Sequence, residues 1–214
     1  MEYATKKRWI ELVEFLGGSH QCATAWFQRL VKCMTETHRK YHTPFHLEEC
    51  LEELDEIDGD EERLALIEVA IWFHDAVYQP GSADNEQKSA EMAKEFMLEC
   101  EASPSVIEFV SDMIMATKDH RSNDDEDAAI MVALDLNIFA RDQKRYAEYE
   151  SQIREEYASV PLAVYCEKRI EILQGFLARP VIYESETMAE IYEEQARMNL
   201  AWSVKRLQSE LQVE

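Results

Sequence analysis

The stretch Ile71-Trp72-Phe73-His74-Asp75-Ala76-Val77-Tyr78 is apolar until an abrupt His-Asp pair, and the loop-forming run Gln79-Pro80-Gly81-Ser82 follows it. Upstream, Leu64, Ile67, Ile71 and His74 recur at steps of three and four, which predicts a helix over Glu61–Asp75 with these residues on one stripe. Asp75 is adjacent to His74 in sequence but roughly 100° around such a helix axis. An unpaired buried charge is expensive, so a core helix has no use for an ionisable pair at its buried end. A divalent ion accounts for both residues, because imidazole and carboxylate both ligate first-row cations. Taken alone, the pair reads at least as well as a surface His-Asp at a helix end, so the weight falls on its surroundings.

One helix upstream lies Arg39-Lys40-Tyr41-His42-Thr43-Pro44-Phe45-His46-Leu47. Pro44 suits the first position of a helix and Thr43 its N-cap. Pro44 also biases Thr43 away from helical angles, so His38, His42 and His46 do not form one three-histidine face. The expected helices 44–57 and 61–75 are joined by a short connection, Asp58-Gly59-Asp60. His46 opens the first and His74 closes the second, so antiparallel packing sets both at one end of the hairpin. Three histidines in nine residues, followed by His74-Asp75, favour a polar functional cluster over isolated structural histidines.

Downstream, Asp84 is expected to cap a helix beginning Asn85-Glu86-Gln87-Lys88. Glu86 then reads either as an acid favoured at a helix N-terminus or as part of a site. Ser103-Pro104 opens another helix, which runs into Ala116-Thr117-Lys118-Asp119-His120-Arg121. Lys118, His120 and Arg121 are the first compact set of phosphate-binding candidates. In Ile130-Met131-Val132-Ala133-Leu134-Asp135-Leu136 an acid interrupts an apolar run. Asp is seldom buried without a partner, so Asp135 reads as a salt-bridged cap or as a further metal ligand. Tyr146, Tyr149 and Tyr157, with Arg145 and Arg154 between them, line an expected helix over 142–158. They are core residues or the lining of a base or sugar pocket. Asn199 sits in a long terminal helix over 184–211.

Composition agrees with a helical protein. The 214 residues hold only five glycines and five prolines, and helix formers abound. The length suits one sizeable core, no repeat or linker stands out, and a single domain over 1–214 is expected. Acids outnumber bases 44 to 22, giving a formal charge of -22. Such a surface repels duplex nucleic acid and anionic membrane. From Glu48 to Glu62 there are ten acids and no base, but Leu51, Leu54 and Ile57 thread the run, which marks a solvated helix face. The five cysteines, Cys22, Cys33, Cys50, Cys100 and Cys166, form no CxxC pair and read as free thiols. With no signal peptide and no spanning apolar run, a cytoplasmic protein is expected.

Taken together, the motifs resemble the HD-domain superfamily of metal-dependent phosphohydrolases, and within it the small bacterial branch described as predicted HD-superfamily phosphohydrolases. The resemblance rests on Tyr41-His42-Thr43-Pro44-Phe45-His46-Leu47, on Ala70 to Tyr78, and on Asp84-Asn85-Glu86-Gln87-Lys88-Ser89-Ala90. It continues through Ala116-Thr117-Lys118-Asp119-His120, Asp135-Leu136-Asn137-Ile138-Phe139, the Tyr146 to Tyr157 segment and Asn199. It spans roughly Trp9 to Trp202. A lone His-Asp pair is weak evidence; HxxxH, HD and D in this order and with these flanks are strong evidence.

The resemblance implies an all-α fold, an HD-domain helical bundle with additional C-terminal helices. It implies His46, His74, Asp75 and Asp135 as ligands to a divalent ion: Mn, Fe, Mg, Ni or Co. His42 matches a histidine that acts as general acid in related phosphodiesterases. Glu86 is the candidate for orienting the attacking water, and Lys118, His120, Arg121, Tyr149 and Arg154 are substrate-binding candidates. The expected partner is a small phosphorylated, nucleotide-like substrate, a monoester or diester, and a homodimer is allowed. Two positions depart from the branch. Ala133 replaces a frequent second acid, and Ala140 a usual glycine. Two alternatives stay open: a non-catalytic nucleotide or metal sensor, and a di-iron oxygenase, for which only His120 is available as an extra histidine ligand.

Overall fold

A computed structural model describes residues 2–212, and among them all regular structure is helical. Ten α-helices follow in order: α1 Lys6–Phe15, α2 His20–Met34, α3 Pro44–Leu54, α4 Glu61–Phe73, α5 Asn85–Glu99, α6 Pro104–Ala116, α7 Glu126–Asp135, α8 Gln143–Glu156, α9 Leu162–Leu177 and α10 Glu186–Leu211. A short 3-10 helix, Leu136–Ala140, lies between α7 and α8. None of the helices is long and apolar enough to cross a membrane.

Most helix starts carry a side-chain cap. Thr5, Ser19, Asp60, Ser103 and Asp142 each accept a backbone N–H in the first turn that follows, a cap contributing about 1 kcal/mol. Thr43 does the same for α3, with Pro44 as the first helical residue. Asp84 precedes α5 without a side-chain cap; its carboxylate takes the Ser82 hydroxyl and the Lys88 ammonium instead. The stop of α1 follows from glycine. Gly17 has φ 87°, a region that penalises a Cβ. The Gly18 N–H then reaches Val13 O at 2.8 Å and the Gly17 N–H reaches Glu14 O at 3.1 Å, closing a Schellman motif.

The chain forms two compact units, one through Asp135 and one from Leu136 onward. The junction sits inside a mostly apolar run broken only by Asp135 and Asn137, which is why no linker composition marks it. In the N-terminal unit, α4 is the central element and packs against α3, α5, α6 and α7. It is buried nearly all round, with Leu66, Ile67, Val69, Ala70, Ile71, Trp72 and Phe73 inside. On one side its aromatics meet those of other helices: Trp9 lies 5.1 Å from Trp72 and 5.1 Å from Phe96, and Trp26 5.8 Å from Phe73. Burying each such ring stabilises the unit by about 1.5–3 kcal/mol. The fixed helix is what aims residues 74 and 75.

The C-terminal unit packs α9 and the 3-10 helix against α10. Its core joins Phe139, Tyr146, Tyr149 and Phe176 through edge-on and tilted ring contacts. Asn199 is buried there and donates to Phe139 O and Arg141 O at 2.8 Å each, so it fastens the 3-10 segment to α10.

Candidate metal centre

Helix α4 ends at Phe73, and His74 is its C-cap, with the His74 N–H on Ala70 O at 2.8 Å. The His74 side chain folds back so that Nδ1 lies 2.8 Å from Ile71 O. A carbonyl only accepts, so Nδ1 carries the hydrogen and, in the neutral ring, Nε2 keeps its lone pair. His46, in the first turn of α3, has its Nδ1 2.9 Å from the Tyr41 hydroxyl. Both imidazoles are thus oriented from their far side, the arrangement that supporting groups give to metal ligands.

The two Nε2 atoms stand 3.2 Å apart, and the rings are 2% and 4% exposed. Asp75 Oδ2 lies 3.2 Å from His74 Nε2 and 3.7 Å from His46 Nε2. That oxygen is closed to solvent and has no hydrogen-bond partner among the described residues. One ligand atom from each of His46, His74 and Asp75 falls within 4.8 Å of the others. Atoms bound about 2.1 Å from a shared ion stand about 3–4 Å apart. The three residues therefore form a cluster able to hold a metal ion. Asp135, the last residue of α7, also reaches it, with Oδ1 3.2 Å from His46 Nε2 and 3.5 Å from His74 Nε2.

The electrostatics describe the same deficit of positive charge. Burial opposes a charge on His74, yet the Asp75 and Asp135 carboxylates outweigh it and hold its pKa well above the usual histidine range. Burial likewise opposes ionisation of Asp75 and Asp135. The facing histidines prevail and hold both below the usual carboxylate range: His74 first for Asp75, and His120 and His46 first for Asp135. A proton on His74 and a bound cation would answer the same negative charge, so the two compete.

His120 lies at the cluster, Nε2 3.3 Å from Asp135 Oδ2. Its φ of 52° is left-handed, where a side chain is disfavoured, and such conformations concentrate at functional sites. His42 is half-buried and stacks on Tyr78, ring centroids 4.0 Å apart, with its ring centroid 6.1 Å from that of His46. Lys118 is exposed and Arg121 partly exposed, both in the turn that carries His120. Glu86 is half-buried in the first turn of α5 and makes no contact with the cluster. Tyr149 and Arg154 belong to the C-terminal unit and are engaged there. Tyr149 accepts from Arg169 at 2.7 Å, and Arg154 donates to Tyr157 O and Val160 O at 2.5 and 3.1 Å.

Sequence reasoning left three neighbours without a role. Tyr41 orients His46. Cys50, one turn after His46, places Sγ 3.7 Å from the His46 ring and 3.5 Å from Leu134 O. Arg39 binds the backbone around Asp75. Tyr41 and Arg39 are both present in the motif segment, but nothing in their spacing announces what they hold.

No family model, no curated protein and no solved structure matches this chain.

Proposed function

We propose that the chain is a metal-dependent phosphohydrolase of the HD type, acting on a small, nucleotide-like phosphate ester. The motif order in the sequence supports the reading. The observation that carries it is the convergence of the solvent-closed Asp75 Oδ2 with two inward-turned Nε2 atoms, those of His46 and His74. A protein that needed only a folded core would gain nothing from gathering buried imidazoles and carboxylates at one point.

When bound, a divalent ion there supplies positive charge opposite the phosphoryl oxygens and acidifies water. His46, His74, Asp75 and Asp135 hold it. His42, which stacks on Tyr78, is our candidate to give a proton to the leaving oxygen, a task suited to histidine near neutral pH. Lys118, His120 and Arg121 share one turn and oppose the phosphate charge locally, despite the net -22 of the chain. That net charge argues for a small substrate and against duplex nucleic acid. Tyr149 and Arg154, already engaged within their own unit, remain candidates from the sequence alone. Glu86 is the acid assigned to water.

A second reading gains from one contact. Because His120 reaches the far oxygen of Asp135, a two-iron oxygenase site has an extra histidine at hand. Metal analysis separates the two. The hydrolase reading expects retained divalent metal and phosphate release from a panel of nucleotides, dinucleotides and sugar phosphates, and no release by Asp75→Ala. Equal release by Asp75→Ala, or no divalent metal retained by the wild type, overturns it. Two irons per chain with an oxygen-dependent product favour the oxygenase.

A further inference from the structure

Just past the end of α4, the carbonyls of Asp75 and Ala76 are met by a side chain from a distant segment. Arg39 lies between α2 and α3, its side chain 0% exposed. Its Nη1 donates to Asp75 O at 2.7 Å and to His42 O at 3.2 Å, and its Nη2 donates to Ala76 O at 3.1 Å. Its Nε donates to Glu36 Oε2 at 3.2 Å, and the guanidinium lies over the Tyr78 ring at 5.4 Å. A positive group at a helix C-terminus is also favoured by the helix dipole. One buried guanidinium therefore grips the peptide units of Asp75 and Ala76, the carbonyl of His42, and the ring against which His42 stacks.

We propose that Arg39 is a positioning residue for the metal centre, setting the backbone that aims the Asp75 carboxylate and fixing the His42 segment to it. The inference rests on the metal-centre reading and deepens it. Arg39 touches none of the ligand atoms. It acts through the two main-chain carbonyls that follow His74, and its rigid planar fork spans acceptors that a lysine's compact ammonium does not reach in the same geometry. A group supporting a metal ligand in this way is worth roughly 10–100-fold in metal affinity.

The test titrates Mn2+ into metal-free wild type, Arg39→Lys, Arg39→Gln and Arg8→Lys, by calorimetry and by the electron paramagnetic resonance of bound Mn2+. Arg8 is the matched control: it also makes several bonds, to Glu68 and Asp55, in the same unit. The expected result is a dissociation constant roughly 10–100-fold higher in folded Arg39→Lys or Arg39→Gln, with an altered Mn2+ spectrum, while Arg8→Lys matches wild type. Unchanged affinity and spectrum in a folded Arg39 variant overturn the proposal, as does an equal loss in Arg8→Lys. If neither Arg39 variant folds while Arg8→Lys does, the residue is structural and the proposal is overturned. Absence of Mn2+ binding by the wild type overturns the metal-centre reading itself, and this inference with it.

Discussion

Each unit buries charge, and the two do it differently. In the C-terminal unit Glu150 is fully buried, and its Oε1 takes Arg169 Nη2 at 2.6 Å and Nε at 3.2 Å. Arg206 approaches its other oxygen at 3.5 Å. Burial opposes the charge on Arg169, but Tyr149 and Glu150 beside it raise its pKa. Here acid and base are both supplied by the chain. In the N-terminal unit two carboxylates face two imidazoles, and one sealed oxygen is left without a hydrogen bond. In the first arrangement each carboxylate oxygen of Glu150 faces an arginine. In the second, His46, His74 and Asp75 form a cluster able to hold a metal ion.

The comparison breaks most sharply at metal uptake. His46→Ala and Asp75→Ala each should lower Mn2+ affinity by more than the roughly 10–100-fold that a supporting residue costs, while Glu150→Gln leaves it unchanged; calorimetry on the metal-free proteins reads both. The reverse holds for stability. Glu150→Ala strands a buried guanidinium and should cost about 3–5 kcal/mol in chemical denaturation. Metal at about 100 times its dissociation constant should stabilise the wild type by about 2.7 kcal/mol, and should not stabilise His46→Ala under the same conditions.

A pH series sharpens the contrast. The raised pKa of His74 contributes stability that is fully present below its unfolded value of about 6.5 and is lost as pH rises through its folded value. The lowered pKa values of Asp75 and Asp135 contribute stability present above about 3.9 and lost as pH falls through their folded values. Chelator-treated protein should therefore lose stability from this cluster on both sides of a window that includes about pH 4–6.5. Metal should bind more tightly as pH rises, because the His74 proton must leave. Melting temperatures with and without chelator across pH 4–9 check both. The smallest effect belongs to Tyr149→Phe, which removes an acceptor for Arg169 and should cost about 1 kcal/mol without changing metal affinity.

Much of the helical plan could be read in the chain because its signals are local. Ser19, Thr43-Pro44 and Ser103-Pro104 mark helix starts by their own chemistry, and the α3–α4 connection is short enough to force antiparallel packing. That geometry brings His46 and His74 together before any tertiary information is used. Asp135 was legible only as an anomaly, an acid in an apolar run; where it points depends on how α7 meets α3 and α4. His120 was read as a phosphate binder, and its approach to Asp135 depends on a left-handed turn that the sequence does not announce. Arg39 and Tyr41 act through backbone and ring contacts set by the fold, so no spacing rule finds them. The boundary at Asp135 was invisible because apolar residues continue straight across it.

The aromatic cluster around α4 has a practical consequence. Trp9, Trp26 and Trp72 all reside in the N-terminal unit, and Trp202 alone among the four tryptophans lies beyond Asp135. In a Trp202→Phe chain, tryptophan emission excited selectively over tyrosine would therefore come only from the half that carries the histidines. Its fluorescence would follow the unfolding of that half in isolation, an optical partition already written into where the indoles fall.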